Sequence, residues 1–147
     1  MNAQENKQVV MEAYRLFQRG DIAQRLGRCH DDAAWVNPEV EHVSFAGTHH
    51  GRAGIARYFK MLDEEAQALH FDPKEFLADG DKVVVLGEAA WLSRLTGRTH
   101  EGPWVHAFTL RDGKIARFEN YFDTAGAERA FQPDQPGQAQ AGTVLHH

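Results

Sequence analysis

The chain has 147 residues, enough for one domain with a sizeable core, and 42% hydrophobic with 25% charged residues excludes a disordered chain. Its net charge of −5 and its 16 scattered basic residues predict no nucleic-acid partner. No apolar run approaches membrane-spanning length, the first residues lack a signal-peptide pattern, and the single cysteine, Cys29, cannot form an internal disulfide. We therefore expect a cytoplasmic protein without a membrane partner.

The first half of the chain predicts helices. Apolar residues recur at helical spacing over about residues 3–19, and Gly20 ends the pattern. Asp21 begins a sequence that resembles a capping box, which predicts a short second helix to about Cys29. A third helix is predicted from about Arg52. Its apolar face would comprise Ile55, Tyr58, Phe59, Leu62, Ala66 and Leu69.

Strand patterns follow each helical part. Ala33 to Asn37 predicts a short strand that Pro38 closes. Four strand-like segments come after the third helix, over about residues 70–78, 82–95, 102–111 and 115–123. Gly-containing pairs separate them as turns, at Asp79-Gly80, Thr96-Gly97 and Asp112-Gly113. Along the second segment, the side chains expected to face outward are Val84, Leu86, Glu88, Ala90 and Leu92.

Helices first and hairpins later predict one α+β domain over residues 1–131, with helices on one face of an antiparallel sheet. Thr124 is the predicted cap of a last short helix that reaches about Phe131. Residues 132–147 contain prolines and glycines and little to bury, so they predict a flexible tail.

The register of the last hairpin decides which polar side chains face the helices. A two-residue turn at Asp112-Gly113 would place charges on the face that holds Trp104. A three-residue loop over residues 111–113 pairs His106 with Phe118 and keeps that face apolar, so we predict this register. The inward set is then Trp104, His106, Phe108, Ala116, Phe118, Asn120 and Phe122, and it contains no carboxylate.

Three stretches carry a resemblance to a known family. They are "NPE" at the end of the first strand, "HGRAGIARYF" at the start of the third helix and "HAFTLRDGKIARFENYFD" in the last hairpin. With the order of elements, they resemble the SnoaL-like family of the nuclear-transport-factor-2-like superfamily, over about residues 5–131. The resemblance implies a cone-shaped α+β barrel, a curved antiparallel sheet around N-terminal helices, an apolar pocket and a homodimer through the outer sheet face.

The resemblance carries over to individual residues in part. His106 stands at the place of the pocket histidine of SnoaL-type polyketide cyclases, and Asn37 matches their asparagine before proline. Asn120 stands where those enzymes have an aspartate. The Asp-Arg-Asp places of limonene epoxide hydrolase read Asn120, Ala89 and Trp91 here. Ketosteroid isomerase has its aspartate where this chain has Asn37, so the acids of all three enzymes are replaced.

His106, Asn37 and Asn120 form the predicted catalytic set, in which an imidazole transfers a proton and two amides hold an oxyanion. The predicted lining for a small apolar or cyclic ligand is Tyr14, Phe17, Trp35, Tyr58, Phe59, Trp91, Trp104 and Phe118. The nine histidines show no metal-ligand spacing, so no metal and no cofactor are predicted. Structural roles explain the same residues: a core histidine bonded to a neighbour, amides bonded to each other, and rings packed as core.

Three functions stay open at this point. The first is a cofactor-independent isomerase or lyase that isomerises, cyclises or dehydrates an apolar carbonyl compound. The second is a non-catalytic small-molecule-binding or dimerisation module of the same fold. The third is an enzyme resembling epoxide hydrolases.

Overall fold

The computed structural model describes residues 1–134, so most of the predicted tail lies outside the described residues. The elements in chain order are α1 Ala3–Gln18, α2 Ile22–Gly27, β1 Cys29–Val36, β2 Thr48–His50, α3 Gly51–Glu65, β3 Ala66–Asp79, β4 Lys82–Ser93, β5 Thr99–Arg111, β6 Lys114–Phe122 and α4 Thr124–Phe131. The predicted α+β class is confirmed. Within the described residues, no helix is long and apolar enough to cross a membrane.

Side chains fix three of the four helix starts. Asn2 and Glu5 form a capping box at α1, with the Glu5 amide donating to Asn2 Oδ1 at 2.8 Å. Asp21 caps α2, as its position predicted. The predicted cap Thr124 is wrong for α4: the Asp123 carboxylate accepts the hydrogen bond of Gly126 N at 3.0 Å, and Thr124 is already helical.

The third helix is shorter than its apolar pattern predicted. Helix α3 ends at Glu65, and Ala66 already has extended backbone angles and pairs with Ser93 of β4. Leu69, predicted on the apolar face of the helix, lies in β3 and is 52% exposed. β3 pairs with β4 from Ala66 to Asp79, apart from two register shifts, and this tertiary pairing overrides the local helical pattern.

The six strands form one sheet in the order β2-β1-β6-β5-β4-β3. It is open, with β2 and β3 at its edges, and it is mixed, because β1 runs parallel to β6. The expectation of a wholly antiparallel sheet was therefore wrong at this pair. Helix α3 carries the chain between the two edges, so no tight turn joins β1 to β6 and forces them antiparallel. Edge strand β2 had no sequence prediction.

The register of the last hairpin differs from the prediction. The turn has two residues, Asp112 and Gly113, both with positive φ (53° and 77°), as in a type I′ turn. One extra residue, Ala116, then makes a bulge, and His106 pairs with Asn120 instead of Phe118. The predicted pairing is off by two residues, which preserves the facing of His106 and Asn120. The prediction for Ala116 was wrong, because Ile115 is the buried residue there.

Candidate functional site

A cavity of about 120 Å³ lies between the inner face of the sheet and the helices. An engineered apolar cavity of ~150 Å³ holds benzene, so this space suits a ligand of about one ring without side-chain movement. Every residue predicted for the site lines this one cavity; these residues are Tyr14, Phe17, Trp35, Asn37, Tyr58, Phe59, Trp91, Trp104, His106, Phe118 and Asn120. Their roles stay predictions.

His106 lies deep in the cavity between two aromatic side chains. Its Nδ1 is 2.6 Å from the hydroxyl of Tyr14 on α1, whose ring is nearly parallel to the imidazole. The Trp104 ring stacks on it with 3.9 Å between centroids. Burial, and then the Arg25 guanidinium, hold the pKa of His106 well below its usual range, while the side chain of Asn120 acts in the opposite direction. The ring is therefore neutral at pH 7.

Tyr14 fixes which nitrogen of His106 remains for a ligand. Burial raises the pKa of Tyr14 well above its usual range, so its hydroxyl keeps its proton. A hydroxyl both donates and accepts, so the pair allows two tautomers. When Tyr14 donates to Nδ1, the ring has an N–H at Nε2. When Nδ1–H donates to Tyr14, Nε2 has a lone pair and can act as a base.

The two predicted amides are half paired. Asn37 follows β1 directly, and its Oδ1 accepts a hydrogen bond from Asn120 Nδ2 at 3.1 Å. Asn37 Nδ2 and Asn120 Oδ1 are buried without a partner among the described residues. A buried polar atom without a hydrogen bond costs about 1–3 kcal/mol. Besides the hydrogen bond that joins the two amides, the pair therefore offers a ligand one donor, Asn37 Nδ2, and one acceptor, Asn120 Oδ1.

Aromatic rings make up most of the remaining lining. Trp35 and Phe118 stack at 4.1 Å, and both indole N–H groups at Trp35 and Trp104 lack a partner in the described part of the chain. Burial raises the pKa of Tyr58 to about 12, so its phenol also stays protonated. Trp91, on β4, is only half-buried. This lining favours flat apolar ligands with a few polar atoms.

The sequence analysis missed several lining residues, among them three that bear on the chemistry of the cavity. Arg25 on α2 is 4% exposed, Phe71 on β3 stacks on Trp104 at 4.9 Å, and His100 lies on β5 near its start. For Arg25 a signal existed, because it lies one helical turn after the apolar Ile22 and therefore on the same side of α2. Phe71 gave no clear signal, because the bulges of β3 interrupt its period.

Other kinds of site have no support in the geometry. Among residues 1–134, no group of three or more His, Cys, Asp or Glu side chains could hold a metal ion. Cys29 is a buried free thiol, and burial raises its pKa, which disfavours the reactive thiolate. The cavity with His106 is therefore the candidate functional site.

An open sheet over N-terminal helices, with an aromatic cavity between them, is the architecture of nuclear-transport-factor-2-like proteins. Residues 10–118 match the family model described as SnoaL-like domain. The chain belongs to the SnoaL-like family, as its sequence motifs predicted. No curated protein sequence matches it.

Solved structures agree with this assignment. A nuclear-transport-factor-2-like protein from Burkholderia xenovorans LB400 is 34% identical, with a TM-score of 0.82, over 90% of this chain and 99% of its own. TerC, co-crystallised with polyporic acid, is 32% identical, with a TM-score of 0.78, over 88% of this chain and 99% of its own. A proposed polyketide cyclase from Xanthomonas campestris pv. campestris is 22% identical, with a TM-score of 0.73, over 90% of this chain and 100% of its own, and supports the fold alone.

Proposed function

We propose that this protein is a cofactor-independent enzyme that performs acid–base chemistry on a small, largely apolar carbonyl compound. The observation that carries the proposal is the neutral His106–Tyr14 pair inside an aromatic cavity, beside the amides of Asn37 and Asn120. The reaction class is an isomerisation, a cyclisation or a dehydration, as in an isomerase or a lyase.

The chemistry begins at Nε2 of His106. In the tautomer whose Nδ1–H donates to Tyr14, the Nε2 lone pair takes a proton from the carbon next to the ligand carbonyl. The electron pair moves onto the carbonyl oxygen, where the free Nδ2–H of Asn37 donates to the oxyanion. The imidazolium then returns the proton to another carbon, which isomerises the ligand, or to a departing hydroxyl, which dehydrates it. Attack of the enolate carbon on a second carbonyl would cyclise it.

Family relationships support a small organic ligand. TerC, 32% identical to this chain, was co-crystallised with polyporic acid. An epoxide hydrolase mechanism has less support, because Asn120, Ala89 and Trp91 line the cavity without supplying a carboxylate or an arginine at those places. The polyketide cyclase and ketosteroid isomerase acids are replaced as well, so Asn37 and Asn120 act as neutral hydrogen-bonding groups.

Hydrogen–deuterium exchange into a panel of cyclic ketones tests the proposal. His106→Ala should slow exchange by about 10²–10⁴-fold, the usual contribution of a general acid–base group. His70→Ala is the matched control, because His70 is exposed and paired with Asp72 at 2.8 Å, away from the cavity lining. Equal exchange rates for wild type and His106→Ala would contradict the proposal. Tyr14→Phe, a change in a positioning residue, should shift the pH profile of exchange.

A second candidate is a module that binds a small molecule without turning it over. The replaced carboxylates favour it, because one imidazole and two amides are modest acid–base equipment. Binding that survives His106→Ala, with no exchange or turnover of any ketone in wild type, would support this candidate. Both candidates would be rejected if the wild-type protein bound none of the apolar probes tested.

We also propose a homodimer through the outer face of the sheet. There Val84 pairs with Ala107 and Leu86 with Val105, and the nearby Leu77 is 57% exposed. An apolar face of this kind suits a second copy of the chain. Light scattering after gel filtration should give a dimer mass, and Leu86→Glu should give a monomer. Leu95→Glu, at an exposed turn, is the control, and a monomeric wild type would reject the dimer.

The cytoplasmic location also stays a proposal. A buried free thiol at Cys29 suits a reducing compartment. Fractionation of cells that produce the tagged protein tests it, and recovery from a membrane or secreted fraction would reject it.

A further inference from the structure

The cavity contains a buried cation that the acid–base proposal does not use. Arg25 is 4% exposed, and its guanidinium lies 5.0 Å from the ring centres of both Phe17 and Phe59. The rings of Tyr14 and Trp35 lie at 5.9 and 5.6 Å. Four aromatic side chains therefore surround the charge at the cavity wall.

The guanidinium is short of hydrogen-bond partners. It has five N–H donors, and its hydrogen bond within the described residues runs from Nη1 to the backbone oxygen of Ala13 at 3.1 Å. Its Nε is buried without a partner. No carboxylate of residues 1–134 forms an ion pair with Arg25, and residues 135–147 contain no aspartate or glutamate side chain.

An unpaired charge in this position is expensive. Contacts with aromatic faces offset part of the free energy that the cation loses on desolvation, but a desolvated cation normally pairs with an anion. Burial lowers the pKa of Arg25, the effect expected where no counter-charge offsets desolvation. A guanidinium favours planar two-oxygen anions, because its N–H groups match the spacing of a carboxylate.

We infer that the ligand carries a carboxylate, or an equally acidic planar oxygen group, which binds to Arg25 while the rest of the ligand packs on the aromatic lining. This inference rests on the proposed function for the reacting end of the ligand, but the anion site stands on Arg25 itself. Tyr14 joins the two ends, since its ring contacts the guanidinium and its hydroxyl bonds to His106. The substrate class is thus a small aromatic or cyclic acid with a carbonyl near its middle.

Benzoate and benzamide test the anion site, because they have the same size and shape and differ in charge. At pH 7.5, calorimetry with wild type should show benzoate binding at least about tenfold more tightly than benzamide, the preference expected of a charge-assisted pair. Arg25→Met, similar in length and neutral, should abolish the preference and leave benzamide affinity within about threefold. Arg25→Lys should retain part of the preference, since a lysine keeps the charge without the planar fork.

Arg52→Met is the matched control. Arg52 is half-buried outside the cavity lining and pairs with Asp31 at 2.9 Å, so its removal should leave the preference unchanged. Equal binding of the two probes to wild type would overturn the inference, and so would a benzoate preference that persists in Arg25→Met. Should that variant not fold, a crystal of wild type with 4-bromobenzoate decides: a carboxylate away from Arg25 overturns the inference.

These measurements separate the two proposals. Ligand binding requires no turnover, whereas exchange into ketones depends on His106. A benzoate preference that requires Arg25, together with exchange that ignores His106, would reject the enzyme and keep the acid-binding site. Exchange that requires His106, with no preference for benzoate, would keep the enzyme and reject the acid.

Discussion

The two faces of the sheet differ in how completely their polar side chains are hydrogen-bonded. On the outer face, Glu119 accepts hydrogen bonds from Arg117 at 3.2 Å and Tyr121 at 2.8 Å, and Lys74 pairs with Glu88 at 3.1 Å. On the inner face, polar atoms of Asn37 and Asn120 are buried without partners in the described part of the chain, and so is Nε of Arg25, which lines the same cavity from α2. Pairing is thus completed where water could have replaced it and left incomplete where water is excluded.

The difference shows where a ligand is needed. An exposed group that loses its partner is hydrated, so exposed pairs contribute only about 0–1 kcal/mol. A buried group without a partner costs about 1–3 kcal/mol, which a fold retains where a ligand supplies the missing bond. Adjacent residues of β6 illustrate it: Glu119 faces outward with its partners, and Asn120 faces inward with its oxygen free. Four predictions would break or sharpen this comparison.

The largest expected effect is overpacking of the inner face. A Cβ at Gly87 would lie 2.2 Å from Cζ2 of Trp104, so Gly87→Ala must displace the indole over the cavity. We expect a loss of about 1–3 kcal/mol in the free energy of unfolding, measured in urea. Gly102→Ala on the same cavity wall is the control, because nothing lies within 4 Å of its Cβ position. Equal losses of stability in both variants would show that the loss does not come from crowding at Trp104.

The second effect is a pH dependence of stability from His106. Its folded-state pKa is depressed, so the unfolded chain binds the proton more readily. Stability is complete above the unfolded pKa of about 6.5 and falls as the pH drops below it, with a slope of up to about 1.4 kcal/mol per pH unit. His106→Gln should remove this slope in urea titrations between pH 4.5 and 7.5.

His100 provides the comparison for this slope. Burial lowers its pKa too, but Asp123 acts in the opposite direction and the shift is smaller than that of His106. As the pH falls, the loss of stability caused by His100 should therefore be complete at a higher pH than the loss caused by His106. His100→Gln should remove this smaller loss. If His106→Gln keeps the wild-type slope, His106 is not buried in neutral form.

The third effect is a pKa shift inside the cavity. The Arg25 cation is the second cause, after burial, of the low pKa of His106, so Arg25→Met should raise that pKa while burial keeps it below its usual value. Nuclear magnetic resonance of labelled histidine measures it directly. His100 serves as the internal reference, because Arg25 is not among the groups that shift its pKa. An unchanged pKa of His106 in Arg25→Met would mean that the charge of Arg25 does not affect the imidazole.

The smallest effect belongs to the outer face. Glu88→Gln breaks the ion pair with Lys74, where both side chains are 54% exposed, and we expect a change of no more than about 0.5 kcal/mol in unfolding free energy. Urea unfolding at low and high salt checks it. Because the proposed dimer would cover this face, the measurement is made in the monomeric Leu86→Glu background, where a loss above about 1 kcal/mol would show that the pair is not solvated.

Much of the fold could be predicted from local pattern. Helical spacing located α1, and Asp21 marked the start of α2. Gly-containing pairs located the hairpins, although the bulge at Ala116 moved the pairing by two residues. Leu69 shows the limit: it fits a helical period, but the residues on both sides of it pair with β4, and Leu69 itself lies at a bulge in that pairing. Local preference is weak against such contacts.

The candidate site divides in the same way. Alternation along β5 and β6 places His106 and Asn120 on one face. The predicted register differs from the observed one by two residues, and an even shift leaves each side chain on the same face of the sheet. Arg25 was not predicted, although it shares a side of α2 with Ile22, because a charged residue is expected at the surface. The rings of α1, β1 and α3 that surround it come together only in the folded chain.

By itself the sequence determined most of the order of elements, without β2, and the facing of most side chains in the last hairpin, since both follow from periods that neighbouring residues set. The tertiary structure alone decided which donors are satisfied. The Tyr14–His106 bond joins residues 92 apart in the chain, and the Asn37–Asn120 bond joins residues 83 apart. Hydrogen bonds require positions correct to a few tenths of an ångström, and only the packed chain fixes them across such separations.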